Sequence, residues 1–270
     1  MTNNILPVIA LIRRELLRFV RERSRMVGVV ASPILFWIVI GSGLNRSFRQ
    51  EGSAGEINYL EYFFPGSVVL IVLFAAIFSS ISVIEDRKEG FMQSVLVAPI
   101  SRFSIAAGKV IGITILASVQ GTLLVLASPL IIPETTVGSL ILTVATLFVI
   151  ALGLSSLGFV LAWSMSSTQG FHAIMNLLLI PMWMLSGALF PASGASTWVA
   201  TIMQWNPLTY GVAAVRESLY GLRPQHLQGL EGFGTSLLIL LLFAAGTSAA
   251  AVWRVAHRER GTSIVKGRRE

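Results

Sequence analysis

Side chains able to do chemistry are few in this sequence, and they bunch. Five consecutive charges, Glu85-Asp86-Arg87-Lys88-Glu89, follow directly on the apolar stretch Tyr62 to Ile84. Behind them comes a short ridge with Phe91, Met92, Val95 and Leu96 on one helical face and Gly90, Gln93 and Ser94 on the other, stopped by Pro99. Charges of both signs favour specific pairing with a protein over adhesion to anionic lipid, and the ridge could dock in a groove on such a partner. A solvated loop with one helical turn fits the same pattern.

Other chemistry is largely absent. The chain has no cysteine, which excludes disulfides, thiolate metal sites and cysteine nucleophiles. His172, His226 and His257 are scattered, so no metal site is expected. The phosphate-binding pattern G-x-x-x-x-G-K-[ST] is missing, and its nearest fragment, Gly108-Lys109-Val110, lacks the first glycine and the hydroxyl. Any ATP used must therefore be bound by another polypeptide. Ser79, Ser80, Thr114, Ser118, Thr122, Ser155 and Ser156 lie in apolar stretches, where helix packing and local hydrogen bonding account for them.

The elements that must position these groups are membrane spans. Of 270 residues, 54% are hydrophobic and only 12% charged, against about a quarter charged in soluble domains. Six stretches are predicted to cross a bilayer: Met26 to Leu44, Tyr62 to Ile84, Ser104 to Ile132, Gly138 to Met165, Phe171 to Phe190 and Gly234 to Trp253. Pro129 and Pro133 mark the expected end of the third. All ionisable residues are expected outside these spans or at their ends. That weakens proton-driven transport and intramembrane hydrolysis, and leaves sodium coupling through carbonyls and hydroxyls open.

Orientation follows from the basic residues. The N-terminal arm holds Arg13, Arg14, Arg18, Arg21, Arg23 and Arg25; the loop after the second span holds Arg87, Lys88, Arg102 and Lys109; the tail holds Arg254, Arg258, Arg260, Lys266, Arg268 and Arg269. Only Arg46, Arg49, Arg216 and Arg223 fall on the other side, so both termini are expected in the cytoplasm. The net charge of +7 is thus a topology signal, and no nucleic-acid partner is needed to explain it.

Residues 1–25 read as an amphipathic interfacial helix, with Val8, Ile9, Ile12, Leu16, Phe19 and Val20 on one face and Arg14, Arg18, Arg21 and Arg25 opposite. A cleaved leader is disfavoured, because the following apolar stretch is too long for one. Residues 26–256 form the expected membrane domain, with a surface helix at about 85–100 and an external segment at about 191–232; residues 257–270 form a basic tail. In the external segment, Thr197 to Trp205 and Leu208 to Leu222 are too short to span and suit re-entrant or interfacial placement. The fold class is therefore an all-α membrane protein.

These features together resemble the membrane permeases of ATP-binding-cassette exporters of the second type. The resemblance runs nearly end to end. It rests on the amphipathic arm, "YFFPG" (Tyr62 to Gly66), "EDRKEGFMQSVLVAPISR" (Glu85 to Arg102), "LSGALFP" (Leu185 to Pro191) and "NPLTYGVAAVRESLYG" (Asn206 to Gly221). Phe91 departs from the usual Thr, Gln93 from a frequent Glu, and Thr197 from a common Pro.

The resemblance implies a permease in the cytoplasmic (inner) membrane, paired with a second permease subunit, usually an identical copy, and with two ATPase subunits that bind ATP and Mg2+. It assigns coupling to the ATPase to Glu85, Arg87, Glu89, Gly90, Phe91, Ser94, Val95, Leu96, Pro99 and Arg102. It gives a second contact to the interfacial helix (Ile12, Arg14, Leu16, Arg18, Phe19) and an external gate to Asn206, Pro207, Tyr210, Arg216 and Glu217. Phe74, Phe78, Met182 and Trp183 could line a substrate path, although lipid-facing or interhelical packing is the favoured account of each. Apart from the resemblance, the absence of charge within the spans favours a hydrophobic or amphiphilic cargo, and the short external loop favours a drug-like or lipid-like one; a polysaccharide or lipid-linked glycan is the alternative. A lipid-modifying membrane enzyme is the alternative of another class.

Overall fold

A computed structural model describes residues 5–44, 58–221 and 232–257. They form helices α1 (Ile5–Arg21), α2 (Arg23–Leu44), α3 (Tyr59–Lys88), α4 (Phe91–Val97), α5 (Arg102–Val125), α6 (Val137–Ser164), α7 (Thr168–Trp183), α8 (Thr197–Trp205), α9 (Pro207–Tyr220) and α10 (Phe233–His257), and there is no strand among the described residues.

Among the described residues, five helical stretches are long and apolar enough to cross a membrane: Tyr59–Lys88, Arg102–Leu130, Val137–Ser164, Thr168–Ala188 and Phe233–His257. The stretch expected to cross first lies in α2, in which Pro33–Leu44 is a further, shorter apolar segment among the described residues. Arg46, Arg49, Arg223 and the tail beyond His257 lie outside the described residues.

Helix ends follow local chemistry. The side chains of Asn58, Ser101, Ser167 and Asn206 accept first-turn backbone N–H groups of α3, α5, α7 and α9, and Thr136 and Ser139 form a reciprocal capping box on α6. α5 stops at Val125, earlier than the prolines suggested, and a 3-10 turn at Ser128–Leu130 takes up Pro129. α7 also falls short of the predicted span. It is regular to Trp183 and then widens into a π-helical segment, Met184–Ala188, broken at Leu185 and at Gly187, whose φ is 78°.

α3 is the axis of the bundle and packs against α2, α5, α6, α7 and α9. Its apolar window is 89% buried, compared with 22% in α10, so α3 is enclosed by protein while α10 presents Leu238, Leu241 and Leu242 outward. Small residues permit the close approach: a Cβ on Gly158 of α6 would stand 2.5 Å from the Ser80 hydroxyl of α3. Four of the seven hydroxyls named above are hydrogen-bonded as expected, whereas those of Ser79, Ser118 and Ser155 are buried with no hydrogen-bond partner among the described residues. Ser80, Thr114 and Thr122 donate to carbonyls four residues back at 2.7–2.8 Å, and Ser156 meets Ser248 of α10 at 2.9 Å.

The two short helices expected in the external segment differ. α8 exposes Trp198, Ile202 and Trp205. α9 is buried continuously from Gly211 to Leu219 among α3, α6 and α10.

Candidate functional site

Two polar clusters lie towards opposite ends of α3, centred on Asp86 and Tyr62 and roughly 36 Å apart along its axis. The first joins α1, α3 and α5. Asp86, fully buried in the last turn of α3, accepts from both terminal nitrogens of Arg14 at 2.8 and 2.6 Å, from Arg18 at 2.9 Å, and from Lys109. Glu15 accepts from the Ser82 hydroxyl at 2.7 Å and also from Lys109. Arg18 reaches Glu85 at 2.8 Å, with Glu89 at 3.6 Å. Burial opposes the charge of Arg18, but Glu85, Asp86 and Glu89 outweigh it and hold the guanidinium pKa above its ordinary value.

Backbone contact brings these charges together. Gly108 and Gly112, one turn apart on α5, lie directly under α1: a Cβ at Gly108 would meet Leu11 Cβ at 2.7 Å, and one at Gly112 would meet Glu15 Cβ at 3.0 Å. Lys109, between them and wholly buried, points into the junction. The fragment that fails as a phosphate loop is thus a G-x-x-x-G packing surface with a buried cation in it.

This corrects several expectations. Lys109 is inside α5 rather than in a loop. α1 has three sectors instead of two: Leu11, Glu15 and Phe19 face the protein; Arg14 and Arg18 face Asp86; Ile5, Leu6, Ile9 and Val20 face outward. Ile12 and Leu16 are half-buried at the sector edges. The helix ends at Arg21, short of residue 25.

α4 starts at Gly90, whose φ of 78° turns the chain sharply after the charged run. Its apolar ridge turns inward, opposite to the expected docking face. Met92 and Val95 are buried, Leu96 is half-buried, and Phe91 lies under the Arg14 guanidinium at 3.6 Å. Gln93, Ser94, Val97 and Pro99 remain exposed. A groove of about 390 Å³ runs between α1 and α4, with Leu11, Arg14, Phe91 and Ser94 in its wall. Arg87 turns the other way and donates to the carbonyls of Trp163 and Met165, capping the C-terminus of α6. Lys88 donates to Thr168 at 3.2 Å, and half-buried Arg102 opens α5.

The second cluster surrounds the break after α7. A broken helix frees carbonyls that must find donors. The Asn206 amide donates to the carbonyls of Met182 and Leu185, the latter at 2.9 Å. The Tyr62 hydroxyl donates to Gly187 at 3.0 Å and that of Tyr59 to Leu189 at 3.0 Å. Arg216 donates to the carbonyls of Gly187 and Tyr62, both at 3.2 Å, and lies over the Tyr62 ring at 4.3 Å. Gly66 allows the contact, since a Cβ there would stand 2.5 Å from that of Ala188.

Glu217 is buried, and burial raises its carboxyl pKa above the ordinary range, opposed by a hydrogen bond from the Phe233 backbone. Pro207 begins α9, and the Tyr210 hydroxyl donates to Gln204 at 2.7 Å. Of the residues assigned to the external gate, Asn206 and Arg216 therefore meet at the break.

The four residues suggested for a substrate path separate. Phe74 and Phe78 stack at 5.6 Å beside His172, Met175 and Asn176 in a small groove between α3 and α7. Trp183 is buried and donates to the Gly66 carbonyl at 2.8 Å, and Met182 is half-buried with its carbonyl taken by Asn206. These two hold the break in place.

Sequence reasoning missed Glu15, Asp86, Lys109 and Tyr62. The available signals were a lone acid at helical spacing with Leu11 and Phe19, and a lone cation between two glycines one turn apart.

Comparison with known proteins agrees with this architecture. The family described as ABC-2 type transporter matches residues 7–220. A protein of Cyanophora paradoxa bearing the name transport permease ycf38 is 29% identical over 249 residues, covering 88% of this chain and 85% of that protein. YbhR of Escherichia coli, named as a multidrug ABC transporter permease, is 24% identical over 73% of this chain and 52% of its own length. Nodulation protein J of Rhizobium leguminosarum is 23% identical over 73% and 76%. Members of this family work with ABC ATPase subunits. With a family match over most of its length and at least five apolar helices of spanning length, this multi-pass membrane protein belongs to the ABC-2 type transporter family.

Proposed function

We propose that the chain is the permease subunit of an ATP-driven exporter, moving a hydrophobic or amphiphilic substrate outward with ATP and Mg2+ bound by a separate pair of ATPase subunits. It acts as a dimer, most simply of identical copies, in the cytoplasmic membrane. α2 completes a set of six spans, and both termini are cytoplasmic.

The observation that carries this reading is the rigid junction at Asp86. A surface element can pass force into a membrane domain only if it is tied to a span. Here α1 is tied by Arg14 and Arg18 to the last turn of α3, and α4 follows that turn directly. A push on α4 is thereby delivered to α3, which the other helices surround. The surface available to an ATPase is Gln93, Ser94 and Val97 together with Glu89, since the apolar ridge is already buried.

The second cluster suits the outer end of the same path, where α9 and the broken end of α7 share carbonyls with α3. Phe74 and Phe78 lie between these ends, in the groove beside α7, and suit contact with an apolar cargo. The relative named for multidrug transport favours drug-like cargo, and a polysaccharide or lipid-linked glycan is the alternative to separate from it.

The test is co-expression with the ATPase subunit encoded nearest to this chain's gene, followed by co-purification and ATPase assay. Val97→Asp and Gln93→Arg are expected to leave the permease folded but to reduce association or ATP hydrolysis at least several-fold. Unchanged association and hydrolysis in both variants would sink the coupling assignment. Stimulation of hydrolysis by hydrophobic drugs or by a lipid-linked glycan then distinguishes the cargo classes.

A further inference from the structure

The outward side of α1 remains unused by the Asp86 junction. Arg14 and Arg18 are neutralised by Asp86 and Glu85, whereas Arg13 and Arg21 are exposed, and no hydrogen bond or ion pair engages either guanidinium among the described residues. Arg13 emerges within the outward apolar sector formed by Leu6, Ile9, Leu17 and Val20, and Arg21 stands two turns further on. An open groove of about 620 Å³ borders Arg13, Leu17 and Arg21 on the side of the junction, where Arg14, Arg18, Glu22 and Glu89 complete its lining.

We propose that α1 is a recognition surface for anionic phospholipid: Arg13 and Arg21 each hold a headgroup phosphate while Ile5, Leu6, Ile9 and Val20 sit among the acyl chains. A cation rising from the middle of an apolar face is stable where its stem lies in hydrocarbon and its tip reaches phosphate. A soluble acidic partner would satisfy the two charges but leave the apolar sector around Arg13 uncovered. The two arginines are roughly 12 Å apart along the helix, which suits two headgroups better than one shared anion. Net-anionic headgroups are favoured over zwitterionic ones, because the latter bring their own cation to the site. Since α1 is fixed to α3 through Asp86, lipid bound at its outer side sets the seat of the whole junction. The inference rests on the reading of α1 as an interfacial helix.

The test uses the full chain in nanodiscs of phosphatidylcholine alone or mixed with phosphatidylglycerol. After detergent extraction, the wild type is expected to retain phosphatidylglycerol over phosphatidylcholine on the order of ten-fold more strongly than Arg13→Gln/Arg21→Gln. High salt should abolish the difference, and Arg13→Lys/Arg21→Lys should largely restore it. Both side chains are exposed, so the melting temperature should not change.

Equal lipid ratios in wild type and double Gln variant overturn the proposal. So does competition by millimolar inorganic phosphate, which would assign the arginines to a free anion. Because the chain has no cysteine, a spin label at Ile9→Cys reports the seat of α1 separately. A label reached by oxygen but shielded from a water-soluble nickel chelate, with equal lipid ratios, removes only the lipid selectivity. A label open to the chelate removes the interfacial reading as well.

Discussion

Asp86 and Arg14 face each other across 72 residues of sequence, the aspartate wholly buried and the guanidinium closing on both its oxygens at 2.8 and 2.6 Å. This fork, joined by Arg18 and Lys109, makes α1 part of the membrane bundle. Removing the carboxylate takes the shared partner from three cations, leaving Arg18 to Glu85, buried Lys109 to Glu15, and Arg14 with Glu15 at 3.6 Å. Asp86→Ala is therefore expected to lower stability by about 3–5 kcal/mol, read as a fall in melting temperature and faster proteolysis of α1. Lys109→Met should cost less, because Asp86 keeps both arginines and Glu15 keeps Ser82. A larger loss in Lys109→Met than in Asp86→Ala would contradict the central place given to Asp86.

Close packing of α1 on α5 predicts a second asymmetry. Gly108→Val should destabilise by about 1–3 kcal/mol, since its first carbon would already overlap Leu11. Gly246→Ala in α10 meets nothing within 4 Å and should be neutral or slightly stabilising. Thermal melts of both variants in the same detergent decide the matter.

Gly90 offers a test of backbone geometry alone. Its φ is 78° and a Cβ added there would meet no atom within 4 Å, so any penalty is conformational. Gly90→Ala is expected to cost about 1–2 kcal/mol, and Gly90→Asn less, because Asn tolerates the left-handed region. The same order should appear in ATPase coupling, since Gly90 aims α4.

Glu217 predicts a pH dependence. Burial raises its pKa in the folded protein, so the folded state holds this proton more tightly than the unfolded one. Stability from this group is present at low pH and falls as pH rises through the folded pKa. Glu217→Gln should thus raise the melting temperature relative to wild type more at pH 8 than at pH 5. Equal differences at both values would show that the carboxylate is not penalised by burial.

At the break after α7, Tyr62→Phe removes one of two donors to the Gly187 carbonyl and leaves Arg216 in place. A loss of about 0.5–1.5 kcal/mol is expected. Arg216→Met removes the contacts to both Tyr62 and Gly187 and should cost more, as measured by melting temperature.

Much of the fold was legible in the sequence because hydropathy is local. Five of the six expected spans, the charged run at Glu85 to Glu89, the stop at Pro99 and the two short helices α8 and α9 appear near their expected places along the chain. What faces what was less legible. The ridge Phe91, Met92, Val95, Leu96 was correctly grouped on one face, but periodicity cannot say whether an apolar face meets a partner or its own bundle. Arg14 and Arg18 were likewise grouped correctly while their partner was not, because Asp86 lies far away along the chain.

The sequence by itself determined that this is a helical membrane chain in which the pattern G-x-x-x-x-G-K-[ST] does not occur, since transfer to lipid depends on the composition of each segment. Only the tertiary structure decided that Glu15, Asp86 and Lys109 form one buried junction with Arg14 and Arg18, and that Asn206, Tyr62 and Arg216 close the broken end of α7. The physical reason is that a buried charge or a freed carbonyl must find its partner in space, and the packing of α1 on Gly108 and Gly112, and of Ala188 on Gly66, sets which partner is within reach.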